Sequence, residues 1–232
     1  MIAAAVNAVV VALGALLGLA FGGRLREEHT GTIVAGLGIC VVVIGITSAI
    51  VTANILIVIV SMVLGTILGE LLKIEARLDT LGDWLKARLG RHGGSRFTEG
   101  FVTASLLFCV GSMAIMGSFD AGLRGDYQTI FAKSALDGVM AVTFAATMGL
   151  GVMFSGLTVL VYQGALTLLA GVVEPFLSEA VVVEMSAVGG VLLIGTGINI
   201  LGLAPKRLKV GNMLPAMVLP VIWFWIAGRL GG

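Results

Sequence analysis

Few side chains in this chain could do chemistry, and most of them stand at one place. Lys133 and Asp137 lie four residues apart in AKSALDG, the spacing that sets two side chains on one helical face. An ammonium and a carboxylate so placed can cancel each other's charge in an apolar setting, or act as a titratable pair lining a pathway. Asn7 in AVNAVV occupies a position like that of Asp137 in ALDGVM, and Gln163 sits amid the apolar run VLVYQGAL. Asp126 closes the charged stretch just upstream, in GLRGD. The expectation is a polar pocket formed by Asn7, Asp137 and Gln163, reached from outside past Asp126 and Lys133. Ser112 and Thr143 also fall deep in apolar runs. For the uncharged groups, hydrogen bonding between helices is the alternative role. For Asp137 the alternatives turn on where its helix begins. A start near Ile130 places the acid on the order of 10 Å inside, whereas a start at Ser134 makes it a first-turn carboxylate stabilised by the helix dipole.

Other chemistries find no footing. There is no GxSxG, HExxH, paired His-Asp or phosphate-binding glycine loop, so no enzymatic activity is expected. His29 and His92 have no second ligand at metal spacing, so neither a metal nor another cofactor is expected. Cys40 and Cys109 each stand alone in an apolar run and read as buried structural thiols. A net charge of +1 gives no reason to invoke nucleic acid.

The elements that would position these residues are membrane helices. With 58% hydrophobic and 12% charged residues and a mean hydropathy of +1.11, the chain carries about half the charge of a soluble domain. Apolar runs of spanning length recur throughout, so residues 1–232 read as one integral membrane domain with no soluble portion of useful size. Runs and breakers together predict an all-α polytopic fold of about eight transmembrane helices, near residues 2–22, 31–50, 53–72, 97–117, 130–149, 152–173, 180–203 and 211–228. The fifth and sixth are divided only by MGLG at 148–151. The first run has no preceding basic residue and is longer than a signal-peptide core. It reads as a retained helix, with cleavage as the alternative.

Charge orients these spans. Arg24, Arg26, Lys73, Arg77, Lys86, Arg88, Arg91, Arg96, Lys206, Arg207 and Lys209 all fall in loops on one side, eleven of the 14 basic residues. Basic loops stay in the cytoplasm, so both termini are expected outside. Residues 73–92 form the largest of these loops. There Ile74, Leu78, Leu81, Leu85 and Leu89 recur at helical spacing beside Trp84, predicting an amphipathic helix along the inner leaflet. Most acids fall in loops, Glu75 among them. Glu70, Glu99 and Glu184 fall near helix ends, within reach of headgroups or water.

Glycine supplies 34 residues, and Gly14/Gly18 and Gly65/Gly69 have the GxxxG spacing that lets helix backbones approach closely in lipid. Such faces also permit a homo-oligomer. LGLA at 17–20 and 201–204, each followed by a basic triplet and a glycine, raises a repeat of helical hairpins against chance similarity.

The central segments together carry a resemblance. FCVGSMAIMG (108–117), GLRGD (122–126), AKSALDG (132–138) and YQG (162–164) resemble the YqgA/YdfK membrane proteins of bacteria, the domain of unknown function 554 family. GLGIC (36–40), LGELLKIE (68–75) and KVGNMLPA (209–216) extend the similarity over essentially the whole chain. The resemblance implies a polytopic protein of the bacterial inner membrane. It implies that Asp126, Lys133, Asp137 and Gln163 belong to the family's own pattern, and it carries over no activity. Two functions are then expected as rivals. One is a transporter or channel for a small ion or small solute. The other is a non-transporting membrane protein with a structural, lipid-interacting or stress-related role.

Overall fold

The computed structural model describes residues 1–22, 27–89 and 96–230, and every regular element among them is helical. Arg24, Arg26, Arg91 and His92, and the side chains of Glu27, Glu28, His29, Ser112 and Glu174, lie outside the described residues. The helices are α1 (Ile2–Gly22), α2 (Glu27–Ala49), α3 (Ile55–Leu72), α4 (Ile74–Leu89), α5 (Phe97–Cys109), α6 (Ser112–Leu123), α7 (Gln128–Met148), α8 (Gly151–Leu168), the single turn α9 (Ala170–Val173), α10 (Glu179–Leu201) and α11 (Leu219–Leu230). A 3-10 segment, Val210–Val218, leads into α11.

Among the described residues seven stretches are long and apolar enough to cross a bilayer, and the bent pair α5–α6, counted as one span, brings the number to eight. The protein is an all-α, multi-pass membrane protein. The division at 148–151 is built by Gly149, whose φ of 82° ends α7 in a conformation that L side chains avoid. The amphipathic segment is α4, with Leu81 and Trp84 exposed and Arg88 stacked 5.1 Å over the Trp84 ring.

Two spans depart from expectation. The fourth was expected as one helix over 97–117. It breaks after Cys109, at Gly111 (φ 120°), turns through 61° and continues as α6 to Leu123. Asp120, which lies beyond the expected end of that span, is therefore helical, and Arg124 pairs with it at 3.1 Å. The eighth span opens as 3-10 helix because Pro215, inside it, has no N–H to give an α-helical ladder.

Contacts gather into two compact units. The first comprises Met1–Leu37, Leu78–Cys109 and Met113–Gly171. In it α1 packs along α7 and α8, and α5 packs on α8. Backbone meets backbone there: a Cβ on Gly14 would strike the Gly138 carbonyl, and one on Gly18 the Val142 carbonyl. Gly156 of α8 likewise admits the Ala8 carbonyl of α1. The second unit comprises Gly38–Arg77, Val110–Ser112 and Val172–Gly232. Its α3 lies against the 3-10 segment, where Gly65 and Gly69 leave room for Ala216 and Asn212. Both GxxxG pairs are thus engaged in packing within the chain.

Four side chains depart from their expected settings. Glu184 was read as within reach of water, yet it is 1% exposed, on the inner face of α10. It survives there because the α2–α3 turn brings it donors: the Thr52 hydroxyl at 2.5 Å and the backbone N–H groups of Ala53 and Asn54 at 2.8 and 3.1 Å. Glu75 was read as a loop acid and is also buried. It accepts from the Gly211 N–H at 2.6 Å, while its own N–H donates to the Asn212 side chain at 2.7 Å. Cys40 is exposed and Cys109 half-buried, against the expectation of buried thiols. Lipid is as apolar as a protein core, so an apolar sequence context does not tell an inner face from an outer one.

Candidate functional site: a buried polar cluster on α1, α7 and α8

The register of α7 settles how deep Asp137 lies along its helix. The Asp126 carboxylate accepts from the Gln128 N–H at 3.0 Å, and the helix begins there. At 1.5 Å per residue Asp137 is about 14 Å along the axis, which excludes the first-turn reading. Apolar residues surround it in sequence, and on the buried face of α7 it shares space with Lys133, Ser134, Gly138 and Ala141.

Close helix approach brings partners to this face. Asn7, Gly14 and Gly18 fall on one side of α1, seven and four residues apart. The glycines draw the α1 backbone onto α7, and Gly138, next to Asp137, leaves space for the Val10 side chain. At that separation the short Asn7 side chain reaches across. Its Nδ2 donates to Asp137 Oδ2 at 3.0 Å and to Gln163 Oε1 of α8 at 3.1 Å. Lys133 Nζ donates to the same Asp137 oxygen at 2.5 Å. Asn7 and Gln163 are fully buried, and Lys133 and Asp137 are each 5% exposed.

The electrostatics follow from this geometry. One positive and one negative charge are both withdrawn from water, so the cluster is neutral overall yet strongly dipolar. The C-terminal end of α5 adds to it. The Cys109 thiol, at the last residue of α5, lies within electrostatic reach of both Lys133 and Asp137. Tyr162, beside Gln163 on α8, is in turn within reach of Cys109.

Hydrogen-bonding capacity is left over. Among the described residues, Asn7 Oδ1 and Gln163 Nε2 are buried without a partner. The orientation of both amides is dictated by Asp137. An ionised carboxylate only accepts, so Asn7 must turn its NH2 toward it. That same NH2 then meets the Gln163 oxygen, leaving one free acceptor and one free donor.

Of the five residues singled out in the sequence, the structure joins Asn7, Lys133, Asp137 and Gln163. Asp126 is not among them. It is exposed, about two helical turns from Lys133, and occupied in starting α7. Thr143 turns outward and bonds back to the Val139 carbonyl at 3.2 Å. Sequence reasoning missed Cys109 and the helix end it marks. The signal was present in CVGS, where Gly111 and Ser112 interrupt an otherwise apolar run.

Comparison with known proteins agrees with this architecture. The chain is 29% identical over 231 residues to the Uncharacterized membrane protein YdfK of Bacillus subtilis (strain 168), covering 97% of this chain and 96% of that one. It is 32% identical over 230 residues to the Uncharacterized protein YqgA of Escherichia coli (strain K12), with 96% of each covered. No solved structure matches the chain. Residues 2–225 match the family described as Protein of unknown function (DUF554), and the chain belongs to that family.

Proposed function

We propose that the protein is a non-enzymatic transporter or channel for a small ion or small solute, with its binding site at Asn7, Lys133, Asp137 and Gln163. The supporting observation is the convergence of these four residues from three membrane helices, with hydrogen-bonding capacity left over. A charge at bilayer depth is costly unless something requires it, and structural packing alone is met by apolar residues at no such cost. A bent span, α5–α6, is also present, and interrupted helices are a recurrent feature of membrane proteins that carry solutes.

In this mechanism the solute enters from outside past Asp126 and Lys133 and engages Asn7 and Gln163. Protonation or cation binding at Asp137 weakens its hold on Lys133 and Asn7, and α1 and α7 shift against each other. The basic loops and α4 then lie on the cytoplasmic side of a bacterial inner membrane, with both termini outside. The rival reading makes the same cluster a structural tie, and it draws on the fact that Lys133 and Asp137 satisfy each other on one helix.

Reconstituted into liposomes, the protein should move an ion or small solute above the rate of empty vesicles, and Asp137→Asn should abolish that flux while the variant still folds. Flux unchanged in Asp137→Asn, or no flux from the native protein across a panel of ions and small solutes, would leave the structural reading in place.

A further inference from the structure

The two unpaired atoms identify what kind of solute the cluster suits. Asn7 Oδ1 offers an acceptor, Gln163 Nε2 a donor, and both are buried. The two amides are joined by one 3.1 Å hydrogen bond, so covalent geometry keeps the free atoms within roughly 8 Å of each other. A single molecule of a few heavy atoms spans that distance. Its matching face is one donor and one acceptor, the pattern of an amide or a hydroxyl.

Charge bears on the same question. Lys133 and Asp137 already neutralise each other through a direct contact. A cation entering beside them would face the Lys133 ammonium at close range in a poorly screened setting, and an anion would face the Asp137 carboxylate. An uncharged guest displaces neither partner. It uses only the valences that the carboxylate's own demands have left open on Asn7 and Gln163.

We infer that the cluster is a seat for a small uncharged hydrogen-bonding solute, amide-like in its pairing of donor and acceptor, held between Asn7 Oδ1 and Gln163 Nε2. This rests on the transport reading and narrows it, because the Lys133–Asp137 pair then sets the orientation of the two amides instead of binding the cargo. Gln163 becomes the residue that selects for a solute acceptor, and Asn7 the residue that selects for a solute donor.

The full-length protein in liposomes tests this, with urea as the neutral probe followed by stopped-flow light scattering, and with potassium, sodium and proton fluxes followed by enclosed dyes. Urea permeability is expected above that of protein-free vesicles. Gln163→Leu should lower the protein-dependent part about tenfold, as expected for a lost hydrogen bond in a site built around it. Gln163→Glu keeps the shape but puts an oxygen where the donor stood, and it should lower the flux comparably. It carries the test if the leucine variant fails to fold. Ser186→Ala, at a buried hydroxyl in the other compact unit, should leave urea flux unchanged. Ion flux without urea flux would overturn the neutral-solute inference and leave the transport reading standing. Urea flux indifferent to both Gln163 variants would overturn the assigned seat. No flux of any probe would overturn both.

Discussion

Replacing Lys133 by methionine keeps most of the side-chain volume and removes the charge that faces Asp137. The structure sets the size of the effect. Both side chains of the pair are 7% exposed, so Asp137 would be left with one strong donor, Asn7 Nδ2 at 3.0 Å, and almost no water. Breaking a buried pair by removing one partner costs about 3–5 kcal/mol, because the remaining charge is uncompensated. Adding Asp137→Asn removes that charge, and the new amide oxygen can still accept from Asn7. The double variant should therefore recover most of the loss and sit within about 1–2 kcal/mol of the native protein, the range for hydrogen bonds rearranged between neutral groups. Lys133→Met thus destabilises more than Lys133→Met/Asp137→Asn, a non-additivity that only direct coupling gives. Reversible unfolding in mixed micelles, followed by tryptophan fluorescence, measures each corner of the cycle. If the two substitutions add independently, or if Lys133→Met alone costs no more than an exposed substitution, Lys133 and Asp137 do not form the buried pair described. The cluster would then hold no mutually neutralised charges.

Substitutions at two further positions probe the scaffold around the cluster and the second compact unit. Glu184→Ala should cost about 3 kcal/mol or more, since the Ala53 and Asn54 N–H groups and the Thr52 hydroxyl lose their acceptor. Glu184→Gln keeps an acceptor for the two N–H groups and should cost clearly less in the same unfolding assay; equal losses would mean that the carboxylate is not the anchor of the α2–α3 turn. Gly18→Ala should destabilise by about 1–3 kcal/mol despite alanine's better helix propensity, because the added methyl meets the Val142 carbonyl. A rise in stability instead would show that α1 and α7 do not approach as closely as the shared Asn7–Asp137 hydrogen bond requires.

The sequence was most informative where lipid imposes a rule on it, and least where lipid removes one. Spanning length and breaker residues follow from bilayer thickness, so the apolar runs and the division at Gly149 could be read directly. Which face of a helix turns inward could not, because a lipid-facing valine and a core valine look alike. Cys40 shows this: an unbroken apolar context, yet a place on the outer surface of α2. Ionisable residues escape the ambiguity, since at depth they must find partners. That is why Lys133 and Asp137 could be picked out, whereas the neutral amides Asn7 and Gln163 stood out only as polar groups within apolar runs. Glu184 marks the limit of the same rule. Its position six residues after the Ser178 cap suggested access to water, but its partners come from a turn more than a hundred residues away in sequence. That turn, VTAN, did carry a signal of its own. N–H groups at the start of a membrane helix need acceptors: Asn54 serves Leu56 and Ile57, which leaves the N–H groups of Ala53 and of Asn54 itself to find one elsewhere. Donors on a helix start and an acid in the next apolar run are two halves of one requirement, and pairing such halves would find buried carboxylates that depth alone does not reveal.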